Sequence, residues 1–331
     1  MPYTKWTSVK NKQSTARSAY LVTGGAGFIG SHIVEALVAK GHPVRILDNF
    51  HTGRRENLRS VADRVTVVEG DVRDFRAVRE AARGADFILH LAALVSPAQS
   101  VLQPDDTLAV NITGTLNVLK VAVEAGARRV VLSSSCAVYG DGRIPAREDQ
   151  PLMPLSPYAA SKLAAEGLAI AFHHSYGLPA VCLRYFNVYG PRQTADSPYS
   201  GVIAIFTRRL LQGQPVTIYG DGRQTRDFIY VGDVVRANRL ACRKKAAIGR
   251  VMNIGTGRGQ SLRELHAVLA SLCGSRPAPE HAEPRPGDIY HSRCDPSRAR
   301  RLLGFRPQTG FRRGLEKTLA WQRGESEGAG A

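Results

Sequence analysis

Residues 21–37 read LVTGGAGFIGSHIVEAL. A short β-rich run comes first, then glycines at 24, 27 and 30, then an amphipathic stretch with helical spacing. In a strand–turn–helix unit these glycines allow a tight turn, close approach of a pyrophosphate to the backbone, and close packing of helix on strand. The helix N-terminus then faces the phosphates. The next β-rich run, PVRILDN (43–49), ends in Asp48, 24 residues after Gly24, where a carboxylate can accept hydrogen bonds from an adenosine ribose. The pattern predicts a dinucleotide site. A carboxylate there repels a 2′-phosphate and so favours NAD over NADP, with only Arg54 and Arg55 nearby pulling the other way.

Outward from this unit the rhythm continues. VTVVEGD (65–71), DFILHLAA (86–93) and RRVVLSSS (128–135) alternate with the helical patterns AVREAARG (77–84) and TLNVLKVAVEAG (115–126). Strands alternating with helices predict an α/β protein with a doubly wound, Rossmann-type parallel sheet covered on both faces. Asp71, with Val72 beside it, ends the third strand where an adenine amino group is expected, and Ala92 and Ala93 end the fourth with side chains small enough for a cofactor to lie on the backbone. Phe28, Ile29 and Asn49 complete the expected cofactor set. From about Val188 proline and glycine punctuate shorter elements, which predicts a smaller α/β substrate-binding domain. The expected division is a basic disordered tail over 1–18, a cofactor domain over 19–187 to which 231–257 returns, and the second domain over 188–331.

The 331 residues include 45 Lys+Arg against 28 Asp+Glu, a net charge of +17. Such an excess fits nucleic acid, acidic membranes or small polyanions. No nucleic-acid module is recognisable and aromatic residues are 7%, so stacking platforms are not indicated and no nucleic-acid partner is expected. No apolar run reaches the ~18 residues of a membrane span, and no membrane association is expected. Five cysteines, an odd number without CxxC spacing, argue against a disulfide framework or zinc site and for a reducing, cytoplasmic setting; no metal is expected. His173 and His174 have no ligand spacing and read as helix-surface residues.

The candidate chemistry lies in PLSPYAASKLAAE (154–166). Ser156 reads as a helix N-cap, Pro157 as the first helical residue, and Tyr158 and Lys162 share one face at i and i+4. An ammonium and a positive cofactor ring beside a phenol favour the phenolate, which would make Tyr158 a base at neutral pH.

Together with these, TGGAGFIGSH, DNFHTGRREN, GDVRD, NITGTLNVL, SSSCAVYG, YAASK, LRYFNVYGPRQ, QTRDFIYVGDVV, NIGTG and RPGDIYHSRCD make the chain resemble the extended short-chain dehydrogenase/reductase family, and more closely its UDP-hexose 4-epimerase branch. The resemblance runs from about Ala19 to Trp321. It implies NAD as cofactor and a UDP-sugar as substrate. It implies that Ser135 contacts the sugar O4 and relays its proton to Tyr158, and that Lys162 also reaches the nicotinamide ribose. By the same resemblance Asn187, Arg226 and Arg285 contact the diphosphate and Asp288 the uridine ribose, while Ser292 stands on the sugar-pocket wall where a small residue admits N-acetylated sugars. It further implies a homodimer through a four-helix bundle formed by the TLNVLKVAVEA helix and the helix beginning at Tyr158. Family dehydratases carry an Asp-Glu pair, and decarboxylases a Glu, where this chain has Cys136 and Ala137. The expected reaction is therefore C4 epimerisation of UDP-glucose or UDP-N-acetylglucosamine and their galacto-partners. Alternatives are a UDP-uronic acid 4-epimerase, a dehydratase or decarboxylase of the same fold, and a non-catalytic NAD-binding regulator.

Overall fold

A computed structural model describes residues 17–194, 201–274, 277–284 and 289–324. Most of the expected basic tail, and the expected substrate contacts Arg285 and Asp288, lie outside the described residues.

Six strands, β1 (Tyr20–Thr23), β2 (Val44–Asp48), β3 (Val65–Glu69), β4 (Phe87–His90), β5 (Arg129–Ser135) and β6 (Ala180–Tyr185), join Arg250–Ile254 in one sheet. Its order is Arg250–Ile254, β6, β5, β4, β1, β2, β3, and every pairing is parallel. Alternate residues feed opposite faces. Tyr20, Val22, Val44, Ile46, Val131, Val181 and Leu183 belong to one core, and Leu21, Leu47, Val130, Leu132, Ala180 and Cys182 to the other. Burial on both sides is why these strands read as near-continuous apolar runs rather than as polar–apolar alternation.

The first core is closed by α1 (Phe28–Val38) and the helix Val231–Arg243, the second by α2 (Phe75–Ala81), α5 (Gly114–Glu124) and α6 (Pro157–Tyr176). Between α2 and α5 lie two short helices, α3 (Pro97–Leu102) and α4 (Pro104–Leu108), followed by one wide turn over Ala109–Thr113. The chain runs outward from β1 to β3, then crosses back to β4 and proceeds the other way. The reversal lies between β1 and β4, and sheets of this kind bind ligands beyond the C-terminal strand ends at such a point.

A separate apolar cluster, including Tyr189, Phe206, Ile218, Phe228, Leu265 and Leu315, holds together the helices Val202–Leu211, Leu262–Cys273 and Phe311–Gln322. Above it Thr225–Arg226 forms the middle of a three-stranded strip, antiparallel to Gln260–Ser261 and parallel to His291–Ser292.

Candidate active site

The glycine turn sits at the switch point. Gly24 has φ +68°, and a Cβ there would come within 2.7 Å of the Ala92 backbone nitrogen; a Cβ on Gly30 would meet the Gly24 carbonyl. Gly27 is the N-cap of α1, whose first turn carries no acidic side chain, so the helix presents bare N–H groups. Phe28 and Ile29 begin the helix itself. At the end of β2 the buried Asp48 carboxylate accepts from the Ala26 and Phe50 amides, each at 2.9 Å, while Gly53 lies against its oxygens. Each oxygen keeps further accepting capacity for a ribose hydroxyl. The residues present therefore fit a dinucleotide.

Asp71 has more partners than its sequence context indicated. Its carboxylate takes Arg73 Nε and Nη2 at 3.0 and 2.9 Å, and the Asn49 amide at 2.9 Å. The Arg73 hydrogen bond is the first cause holding its pKa below the usual carboxylate value. Val72 is buried against Gly114. Arg55 pairs with Glu69 and lies over the Phe50 ring.

The wall formed by Ala92 and Ala93 is fixed by a buried hydrogen-bond chain. Thr115 donates to the Asn111 carbonyl (2.6 Å), so its oxygen accepts from His90 Nε2 (3.0 Å); His90 Nδ1 then accepts from Thr23 Oγ1 (2.7 Å). Thr23 in turn accepts from the Ala92 amide at 3.2 Å. Burial first, and the Lys162 charge second, push the His90 pKa down to about 3, so the ring is neutral. A histidine inside an apolar strand reads from sequence as core, and nothing in its spacing pointed to this role.

The helix α6 carries the candidate residues Tyr158 and Lys162. Ser156 caps it by accepting from the Ala159 amide (3.2 Å), Pro157 opens it, and Ser100 from α3 accepts from the Tyr158 amide (3.0 Å). Asn111, in the wide turn, donates to Ser161 Oγ and to the Leu94 carbonyl, both at 2.9 Å, and ties α6 to the segment after β4. Tyr158 is 7% and Lys162 6% exposed. Ser135 ends β5, and its hydroxyl is near enough to the Tyr158 phenol to act on its acidity. Lys162 differs from expectation: its Nζ donates to the Ser133 carbonyl at 3.1 Å. Burial raises the Tyr158 pKa to about 12, and the group drawing it down is the Ser135 hydroxyl rather than the lysine. Helical spacing placed the two residues on one face, but the flexible lysine stem takes its charge to the strand.

On the opposite side Asn187 donates to the Asp227 carbonyl at 3.4 Å, and Arg226 and Ser292 are paired neighbours in the strip. Arg226 also donates to the Thr225 and Tyr290 carbonyls. Cys136, the residue after Ser135, joins the two sides. It lines a cavity with Tyr139, Phe186, Ile289 and Ser292; burial pushes its thiol up to about 11, while the Ser292 hydroxyl and the Arg226 charge draw it down. Its neighbour on the other flank is Tyr158. The fully buried Asp227 accepts from the Thr256, Gly257 and Cys294 amides at 2.8, 2.9 and 3.2 Å, riveting two segments behind Arg226. Adjacent to an arginine in QTRDF, it was indistinguishable in sequence from a surface ion pair. His173 is half-buried, with Nδ1 on the Leu178 carbonyl, whereas His174 is exposed. Among the described residues no group of three His, Cys, Asp or Glu could hold a metal ion, and no helix is long and apolar enough to cross a membrane.

The model of the NAD dependent epimerase/dehydratase family matches residues 20–255. The chain belongs to that family. Within it, the chain is 41% identical over 312 residues to a UDP-glucose 4-epimerase of Mycolicibacterium smegmatis, covering 93% of this chain and 99% of the relative. A UDP-N-acetylglucosamine 4-epimerase from Methanobrevibacter ruminantium, solved in complex with UDP-N-acetylmuramic acid, superposes with a TM-score of 0.90 at 37% identity over 94% of this chain and 100% of its own. Thermus thermophilus UDP-glucose 4-epimerase in complex with NAD gives 0.84 at 42% identity, covering 92% and 99%. Other family relatives include a UDP-N-acetyl-α-D-glucosaminuronate decarboxylase.

Proposed function

We propose that the chain is an NAD-dependent UDP-hexose 4-epimerase acting on the UDP-glucose/UDP-galactose and UDP-N-acetylglucosamine/UDP-N-acetylgalactosamine pairs. The observation that carries this reading is the juxtaposition of the Ser135 and Tyr158 hydroxyls at the C-terminal end of β5, with Cys136 and Ala137 following Ser135. The pair can hold and move a proton at a sugar hydroxyl. The carboxylates that family dehydratases and decarboxylases carry at these two positions are absent, and the Ala137 methyl can supply neither an acid nor a base beside C5 and C6.

Gly24, Gly27, Phe28, Ile29 and Gly30 would cradle the pyrophosphate of NAD. Asp48 and Asn49 would hold its adenosine ribose, Asp71 and Val72 its adenine, and Ala92 and Ala93 would line its path towards Tyr158 and Lys162. When bound, NAD would supply the hydride acceptor and donor for the sugar C4 and positive charge beside the phenol. In the first half-reaction the 4-hydroxyl proton passes through Ser135 to Tyr158; in the second Tyr158 gives it back to the new 4-hydroxyl. Asn187, Arg226 and Arg285 would grip the diphosphate, where a planar guanidinium donates two hydrogen bonds at fixed geometry, and Asp288 the ribose. Anchoring the substrate only at that end leaves the 4-keto sugar free to turn over, and Ser292 leaves room for an acetamido group. We read 19–187 with 231–257 as the cofactor domain and 188–331 as mainly the UDP-sugar domain.

Two further readings accompany this one. The exposed Val101, Leu102 and Leu108 flank α5 and α6, and they support a homodimer in which these helices form a four-helix bundle; a monomeric mass by light scattering at micromolar concentration would overturn it. Five free thiols support a cytoplasmic setting. The test of function is incubation of the purified protein with a panel of UDP-sugars and chromatographic separation of C4 epimers. Interconversion of either pair supports the reading, and a deoxygenated or decarboxylated product overturns it.

A further inference from the structure

Three successive serines at the end of β5 meet three successive turns of α6. The Ser135 hydroxyl neighbours the Tyr158 phenol, the Ser133 carbonyl takes Lys162 Nζ, and Ser134 Oγ donates to Glu166 at 2.5 Å. The Glu166 carboxylate also receives a bidentate fork from Arg184 on β6, with Nε at 2.9 Å and Nη2 at 2.7 Å. Arg184 Nη1 donates to the Tyr139 hydroxyl (2.9 Å), which donates to Asn253 Oδ1 (2.6 Å). Glu166 and Arg184 are each 3% exposed. The first two turns belong to the chemistry already described, and the third has no assigned part in it.

A buried ion pair is weak evidence for stability, because apolar residues of similar volume often serve as well. Its placement one turn beyond Lys162 points to another use. The lysine charge acts on the His90 imidazole of β4; around Glu166 stand the Arg184 guanidinium and the Cys182 thiol of β6, with Tyr139 on Arg184, and Cys136 lies beside Tyr158. Burial or desolvation keeps His90 neutral and the thiols and phenols protonated at neutral pH. Glu166 is thus the anion beside Lys162 among the described residues. Burial pulls the Lys162 pKa down to about 8, and the Glu166 charge holds it up against that pull.

We propose that Glu166 is a positioning residue: it fixes the Ser133–Ser135 strand end on α6 and keeps Lys162 as an ammonium, while Arg184 locks the carboxylate as a fixed charge. The proposal rests on the epimerase reading for one of its two readouts only, the other being affinity for NAD.

The test is the pH profile of Glu166→Gln, with Glu166→Leu/Arg184→Met as a second variant in which no buried charge is left unpaired. Without the carboxylate the alkaline limb of kcat should move down by about one pH unit, which makes turnover about tenfold lower at pH 8.5 and within about twofold of the parent at pH 6.5. NAD affinity, followed by titration of the protein stripped of cofactor, should weaken at pH 8.5 and not at pH 6.5. Should Glu166→Gln fail to fold, the double variant decides. A folded double variant whose kcat profile and NAD titration both match the parent would reduce the pair to scaffolding and overturn the proposal. If no UDP-sugar is turned over, the epimerase reading fails, while the pH dependence of NAD affinity still tests Glu166.

Discussion

The contact between β5 and α6 and the strip formed by Thr225–Arg226, Gln260–Ser261 and His291–Ser292 flank one site, and they differ in how much water they admit. On the first, Tyr158, Lys162 and Glu166 of α6 are buried against the end of β5, and Arg184 of β6, equally buried, pairs with Glu166. On the second, Thr225, Arg226 and Ser292 are half-exposed and His291 is exposed, with Asp227 as the dry rivet behind them. Proton transfer profits from a dry, preorganised setting, where a neighbouring charge or hydrogen bond acts at full strength. Gripping a diphosphate requires arginines that remain hydrated until the ligand replaces their water. In the proposed reading the difference separates the step that moves protons from the step that chooses the substrate.

The comparison breaks most visibly at Tyr158. Replacing it by Phe removes a proton carrier and little volume, so kcat should fall by about 10³–10⁴-fold while NAD remains bound and the fold is kept. Retention of more than a tenth of the activity would move the chemistry away from the dry half.

Next comes the wet half. Ser292→Tyr should lower turnover of the N-acetylated pair by about 100-fold through overpacking of the pocket and leave most activity on UDP-glucose. An equal loss on both pairs would mean that the residue is not a wall but part of the general grip.

The smallest effect is in stability. His90 is neutral in the fold with its pKa near 3, against 6.5 when free, so between those values the unfolded chain binds the extra proton and stability falls as pH drops. From pH 7 to pH 5 this costs about 2 kcal/mol. His90→Gln, which keeps a donor and an acceptor, should flatten that part of the acid limb in urea titrations. An unchanged slope would show that the ring is not held neutral.

The two halves also differed in how far the sequence could be read. The strand–turn–helix glycines, Asp48 and the Tyr158/Lys162 spacing follow regular periodicities, so the Rossmann unit was legible from the residues themselves and the candidate catalytic helix could be singled out. Arg226 and Ser292 stand on two-residue strands where no period exists, and only resemblance singled them out. Glu166 repeats the four-residue spacing of Tyr158 and Lys162 on an alanine-rich helix, a signal that was present and unused. The destination of the Lys162 ammonium was not legible, because helical spacing fixes the Cβ and leaves four rotatable bonds beyond it.

The central claim, that one hydride leaves C4 and returns to it while Ser135 and Tyr158 carry the proton, is tested most directly with UDP-glucose deuterated at C4. The account predicts UDP-galactose of unchanged mass with the deuterium retained at C4 and none exchanged with water. Washout of the label, or a product lighter by the mass of water, would contradict it.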